Sequence, residues 1–347
     1  MELASALAEV TTLRVGGPAR TLITADTEAE LIDAVRAADE AEEPVLVLGG
    51  GSNVLIGDEG FSGTVVRVAT RGVDADVSSC SGATVRVAAG EDWDGFVARA
   101  VDQEWSGIEA LSGIPGLVGA TPIQNVGAYG SEVSQTIASV RTWDRAARRQ
   151  VTFPVADCGF GYRWSRFKAE PDRYLVLEVT FQFTLGSLSA PVRYAELART
   201  LGVEVGARVP ASEVRAAVLR LRAGKGMVLD ADDHDTWSAG SFFTNPILTA
   251  AEAAGLPAEA PRYGQPDGRV KTSAAWLIEH AGFRKGFGAD VGTGRATLST
   301  KHTLAVTNRG GASAADVLDL AREVRSGVAQ RFGITLVPEP VLVGCSL

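Results

Sequence analysis

Hydrophobic positions recur along this chain with two periods, and the switches between them mark its strands and helices. From Tyr174 to Phe183 the alternation is strict: Leu175, Leu177, Val179, Phe181 and Phe183 share one face while Glu178, Thr180 and Gln182 share the other. This predicts a half-buried strand of antiparallel type. Val45 to Leu48 is a continuous apolar run of the buried-strand kind, and Val54 to Asp58 a second short extended piece. Leu22-Ile23-Thr24, Thr64 to Val68 and Val85 to Ala89 read as further strands. Helical spacing begins at Thr27, which with Glu30 makes a capping box ahead of Leu31, Ile32, Val35 and Ala38. It returns at Trp93, Val97, Ala100 and Val101, then after Ser212 with Val214, Val218 and Leu221. Ser273 opens a short helix through Trp276, Leu277 and Ile278 that ends at Gly282, and Ser313 with Asp316 opens a longer one carrying Val317, Leu320, Val324 and Val328. Residues from about Gly186 to Gly206 read as connective, and the tail from Thr335 to Val343 is extended and apolar apart from Glu339. Strand, helix, strand at the start predicts a small α/β unit, and Gly226 to Arg331 has the punctuation of a separate domain.

Length and composition narrow the class. A chain of 347 residues divides more naturally into two or three domains than into one. With 46% hydrophobic and 22% charged residues it is an ordinary soluble mixture. The net charge of -9 argues against nucleic acid or an anionic membrane as a partner, so an anionic small ligand needs a local basic pocket. Cys80, Cys158 and Cys345 are far apart and odd in number, which fits a reducing compartment and no disulfide framework. His234, His280 and His302 are scattered as well, so no zinc-type spacing arises and no metal is expected. Glu2 and Glu9 without an early Lys or Arg do not make a secretory signal, and no apolar run approaches the ~18 residues of a membrane span. The expectation is a cytoplasmic soluble protein.

Candidate chemistry begins where the Val45 run stops at Gly49, Gly50, Gly51, Ser52 and Asn53. Three adjacent glycines can turn successive N–H groups toward one phosphate, with the Ser52 hydroxyl and the Asn53 amide adding hydrogen bonds. The stretch lacks the third glycine and the following helix of a dinucleotide fingerprint, and Leu219 stands where a Walker loop before Gly224-Lys225 would need glycine. A plain turn between strands is the other reading. Gly113 to Gly130 is a second glycine-dense stretch, with Thr121, Gln124, Asn125 and Tyr129 among small residues. It suits a flat heteroaromatic ligand, or it is simply a long ordered loop. Ser241, in Gly240-Ser241-Phe242-Phe243-Thr244-Asn245-Pro246, is not in a nucleophile elbow and taken alone reads as structural. Tyr162-Arg163 pairs a phenol with a guanidinium, and Glu339 between two prolines would hold a proton near neutral pH if buried. Arg215, Arg220, Arg222 and Lys225 form a basic cluster whose commoner explanation is a solvated helix face.

GGGSNVL, GIPGLVGATPIQNVGAYG, FGYRWSRFK and GSFFTNP occur here in one order, and with them the chain resembles the UDP-N-acetylenolpyruvoylglucosamine reductases from Thr11 through the Glu339 tail. The resemblance implies an α+β protein. A two-part FAD-binding region of the vanillyl-alcohol-oxidase type would comprise residues 1–68, with the tail 332–347 returning to it, and residues 69–208. A C-terminal α/β substrate-binding domain would comprise residues 209–331. It implies FAD held by Gly49, Gly50, Gly51, Ser52 and Asn53 and by Ile114, Gly116, Gly119, Thr121, Gln124, Asn125 and Gly127. NADPH would reduce the flavin, after which UDP-N-acetylglucosamine enolpyruvate would take a hydride at C3. Arg163 and Glu339 would then stabilise the enolate and Ser241 protonate C2. Tyr162, Tyr194, Lys225, Asn245 and His302 match substrate-contact positions, Tyr194 resembling the mobile-loop tyrosine of one subclass. The partners implied are small molecules only, and the protein a monomer.

Two positions depart from the pattern. Thr244 stands where a lysine is common, and Val337 where an acidic residue often lies. Two other readings compete: an FAD-dependent oxidase of the same superfamily, and a nucleotide-binding module without catalysis. Ser241, Arg163 and Glu339 together argue against both.

Overall fold

A computed structural model describes residues 6–347; the Glu2 position lies outside them. The chain forms two compact units, one of residues 6–19, 51–62 and 224–347, the other of residues 20–50 and 63–223. Each takes discontinuous stretches of sequence, and the glycine bend is cut between Gly50 and Gly51.

In the unit built on residues 20–50 and 63–223, strands run in the order Arg149–Pro154, Ile137–Asp144, Tyr174–Leu185, Gly82–Ala88 and Val73–Ser78, all antiparallel. Tyr174–Leu185 lies between two neighbours, and all five alternating apolar residues are buried. The helix Trp93–Asp102 lays Trp93, Phe96, Val97 and Ala100 on this sheet. There the Phe96 ring lies 5.1 Å from that of Phe181, which stacks on Phe183 at 5.6 Å. Burial of so many aromatic and aliphatic side chains is the main favourable term for this unit. A smaller sheet has the order Ala19–Ala25, Phe61–Val68 and Val45–Leu48, the last two parallel. The Thr27 and Glu30 capping box forms as expected and starts helix Glu28–Glu40.

Three expectations are corrected here. Val45–Leu48 is an edge strand in which only Leu48 is buried and Val47 is exposed. A one-sided apolar strand reads in sequence like a two-sided one. The stretch taken as connective holds the helix Ala195–Leu201, ended by Gly202 in the left-handed region (φ 69°). Arg215, read with its neighbours as a solvated face, is instead a bidentate partner of Asp94, at 2.6 and 2.9 Å.

In the other unit, the helix Ala314–Phe332 buries Val317, Leu320, Val324 and Val328. Its first turn is satisfied twice over. Ser313 and Asp316 form the capping box, and the Asp58 carboxylate accepts from the Ala314 and Ala315 amides at 2.7 and 3.0 Å. The tail strand Val341–Val343 pairs in parallel with Val54–Ile56, joining the chain's last residues to its early ones. Among the described residues no helix is long and apolar enough to cross a membrane.

Candidate active site

Within the unit of residues 20–50 and 63–223, two glycine stretches meet backbone to backbone. A Cβ on Gly50 would lie 2.9 Å from the Gly116 Cα, and one on Gly119 would lie 2.5 Å from the Ala89 Cβ. Such approaches exclude any side chain. The loop is fixed by the Trp93 amide to Gly116 O (3.0 Å), Val118 N to Glu91 O (2.9 Å) and Gly119 N to Ala89 O (2.9 Å). Gly113 N adds a 2.6 Å bond to Asp94, the carboxylate that also takes Arg215. Burial would raise the Asp94 carboxyl, but the Arg215 and Gly113 donors outweigh it and hold it below the ordinary value. Ile114 is half-buried against the core, and Gln124 is also half-buried.

Several polar side chains of this loop are engaged inside the unit. Thr121 is buried and its hydroxyl donates to Val118 O at 2.8 Å. Asn125 is buried too. Its amide nitrogen donates to Glu132 (2.8 Å) and Gly161 O (3.1 Å), while its oxygen accepts from Ser134 N (3.2 Å). The sequence marks Asn125 as a cofactor contact; within the protein its side chain joins the loop to the Arg163 turn. Arg163 donates from Nη2 to Gly127 O at 3.0 Å and lies 5.6 Å over the Tyr162 ring. Asn125, Tyr129 and Arg163 have φ of 47°, 49° and 52°, three non-glycine residues in the left-handed region within the two stretches singled out by sequence. Burial pushes the Tyr129 phenol up to about 12. Tyr194, 45% exposed, meets the Tyr129 ring edge-on at 5.6 Å.

The unit of residues 6–19, 51–62 and 224–347 has its own set. Gly51 needs to be glycine: φ is 61° and a Cβ would lie 2.1 Å from Val10 O. Phe242 N donates to Leu304 O (2.7 Å), Glu339 N to Phe242 O (2.9 Å), Thr244 N to Val337 O (3.0 Å) and Val341 N to Asn53 O (3.0 Å). The segments bearing His302, Ser241, Glu339 and Asn53 therefore lie side by side in that order. Asn53 also donates from Nδ2 to Glu339 O at 3.4 Å, and Ser52 precedes it in the same turn. Asn245 accepts from Ala274 N at 2.9 Å, at the start of helix Ala274–His280. Lys225 is half-buried just beyond helix Ala211–Gly224.

Asp235 was not marked from the sequence. It is buried and accepts from Thr300 N (2.8 Å), the Thr300 hydroxyl and Arg309 (3.0 Å), tying the His302 turn to the segment that leads into Ser241. Burial would raise its carboxyl, but the Thr300 donors, with Ser299 and Arg309, hold it below the usual carboxylate value. Its only signal in sequence was its place six residues before Ser241, among other aspartates.

Comparison with known proteins fixes the class. Residues 19–151 match the FAD-binding domain, and with full-length relatives that are named reductases the chain is an FAD-containing oxidoreductase. Residues 232–343 match the C-terminal domain of UDP-N-acetylenolpyruvoylglucosamine reductase. The enzyme of that name from Cutibacterium acnes is 64% identical over 341 residues, spanning 98% of this chain and 90% of its own. The one from Streptomyces coelicolor is 58% identical over 352 residues, again 98% and 90%. A crystal structure of UDP-N-acetylenolpyruvylglucosamine reductase from Thermus caldophilus aligns with a TM-score of 0.67 at 27% identity, covering 98% of each chain. The chain belongs to the UDP-N-acetylenolpyruvoylglucosamine reductase family.

Proposed function

We propose that this protein reduces UDP-N-acetylglucosamine enolpyruvate to UDP-N-acetylmuramate, a step in peptidoglycan precursor synthesis, with NADPH as the electron source. The observation that carries the reading is 64% identity to a reductase of this name over 98% of the chain. Residues 1–68 with 332–347 and residues 69–208 would form the FAD-binding region, and residues 209–331 the substrate domain.

The glycine stretches fit a flavin dinucleotide, because backbone packed this tightly presents amides without side chains to obstruct a pyrophosphate. Gly49, Gly50, Gly51, Ser52 and the loop from Ile114 to Gly127 would hold it, with Asn125 and Asn53 acting through the backbone they fix. When bound, FAD supplies the two-electron chemistry that takes a hydride from NADPH and gives it to the enolpyruvyl C3. The work of this chain's own residues is electrostatic and protic. Hydride addition leaves negative charge over C2 and the carboxylate, which the Arg163 guanidinium neutralises. Glu339, acting protonated, donates a hydrogen bond to the same developing charge. The Ser241 hydroxyl then delivers its proton to C2, a carbon basic enough to take one from a weak acid. Tyr162, Tyr194, Lys225, Asn245 and His302 contact the sugar nucleotide. A cytoplasmic location and a monomeric state accompany this reading.

The test is the visible spectrum of the purified protein without air. The flavin bands should bleach with NADPH and return on adding UDP-N-acetylglucosamine enolpyruvate. Bleaching that only oxygen reverses would favour the oxidase alternative, and a protein that binds no flavin would overturn the reading.

A further inference from the structure

Arg163 sits at the third position of a tight turn, where Gly161 N donates to Trp164 O (3.0 Å) and Trp164 N to Gly161 O (3.2 Å). That position carries a positive φ, ordinarily taken by glycine or asparagine. A turn with arginine there needs outside support to persist. Two side chains supply it. Lys168 Nζ donates to Arg163 O at 3.1 Å, and Asn125 Nδ2 donates to Gly161 O at 3.1 Å. Both donors stand on fixed ground. Lys168 belongs to the short helix Arg166–Ala169, whose Ser165 cap accepts from Lys168 N at 3.2 Å, and the adjoining Phe167 is buried with its ring against Phe153 and Tyr174. Asn125 is held at both ends of its amide.

We infer that Lys168 is a positioning residue for the reductive step: its ammonium clamps the carbonyl of Arg163 and so keeps the guanidinium, itself bonded to Gly127 O, aimed where the enolate charge develops. Asn125 is the second clamp of the same turn. Lys168 lies inside the FGYRWSRFK stretch, but its spacing from Arg163 gives no hint that it folds back on that residue.

The inference rests on the assignment of Arg163 as the cation, and the test separates the two. FAD-loaded protein is reduced with dithionite without air and mixed with saturating UDP-N-acetylglucosamine enolpyruvate, and the rate of flavin reoxidation is followed. Lys168→Met should slow it by about 10- to 100-fold, the loss expected for one charge-assisted hydrogen bond. Half-saturation by the substrate should hardly move, and Lys168→Arg should recover most of the rate. In an Arg163→Met background, Lys168→Met should cost no more than about 2-fold, because the group it positions is gone. Equal losses in both backgrounds, or no recovery with arginine, would overturn the inference. Arg163→Met at the parental rate would instead overturn the assignment beneath it. Independently of activity, the Gly161 and Trp164 amides of the flavin-loaded protein should exchange hydrogen faster in Lys168→Met and in Asn125→Ala, but not in Lys168→Arg. Unchanged protection in both variants would also refute it, and either variant suffices if the other does not fold.

Discussion

Gly50→Ala adds one methyl group at the point where the two glycine stretches touch, and the structure states what it meets. The new carbon would lie 2.9 Å from Gly116 Cα, 3.4 Å from its carbonyl carbon and 3.6 Å from its nitrogen, all backbone. Carbon pairs settle at about 3.5–4.0 Å, so the loop would have to retreat by about 0.6–1 Å. Overpacking of this kind costs about 1–3 kcal/mol. The lower entropy of the unfolded alanine chain returns about 0.4–1 kcal/mol, since φ at Gly50 is not positive. The net lies between about 0 and 2.6 kcal/mol and centres at ~1.3 kcal/mol, which for a unit of this size lowers the unfolding temperature by roughly 3–5 °C. Its neighbour is the control. A Cβ on Gly49 meets only Leu117, at 3.7 Å or more, an ordinary contact, so Gly49→Ala should leave the apoprotein's stability within about 0.5 kcal/mol of the parent. The assay is thermal unfolding of both variants without flavin, followed by titration with FAD. Gly50→Ala should weaken FAD binding by about 5- to 30-fold as the loop shifts. Equal stability of the two variants would refute the packing on which the cofactor cradle depends.

Further outcomes follow from the same geometry. Ser241→Ala should reduce its flavin with NADPH at nearly the parental rate yet reoxidise it with the sugar nucleotide at least about 100-fold more slowly; equal reoxidation rates would remove the proton-donor role. Glu339→Gln, which keeps a hydrogen-bond donor, should retain more turnover than Glu339→Ala, and the opposite ranking in steady-state assays would count against a protonated Glu339. Asp235, held below its ordinary value of 3.8, contributes stability that is present above the unfolded value and disappears as pH falls through the lower folded one. Asp235→Asn should therefore cost about 3 kcal/mol at neutral pH and show a flatter loss below about pH 4 in denaturant titrations. Burial pushes the Cys158 thiol up to about 11, whereas Cys80 is exposed. Iodoacetamide at pH 8 should label Cys80 and spare Cys158 until the protein unfolds, as peptide mapping would register.

What the sequence could convey was local. The Thr27 and Ser313 capping boxes and the alternation from Tyr174 to Phe183 depend on neighbours a few residues away, and each appears as read. Ile137–Asp144 and Arg149–Pro154 went unread, because their weak alternation gains meaning only beside Tyr174–Leu185. The helix Ala195–Leu201 is only seven residues long and announced itself only through Gly202. The same distinction runs through the site. Glycines and lone polar residues within a motif mark where a ligand belongs, but Asn125 to Gly161 spans 36 residues and Asp235 to Thr300 spans 65. Such partners are chosen by the fold, so a residue's supporting role cannot be read from its own stretch.

Glu339 lies in a strip of chain bonded on one side to Phe242 and Thr244 and on the other to Asn53, from which it is 286 residues distant. A ribosome adding about 5–20 residues each second has finished residues 20–50 and 63–223 well before this strip exists. The bonds of this strip to Asn53 and Phe242 can therefore form only after both partners have been made and the chain has grown as far as Val341. A chain that stopped at Val337 would lack Glu339 itself and the strand Val341–Val343 that follows it. The pairing of this strip is thus a late event in synthesis, while the greater part of residues 20–50 and 63–223 can fold as soon as those residues emerge.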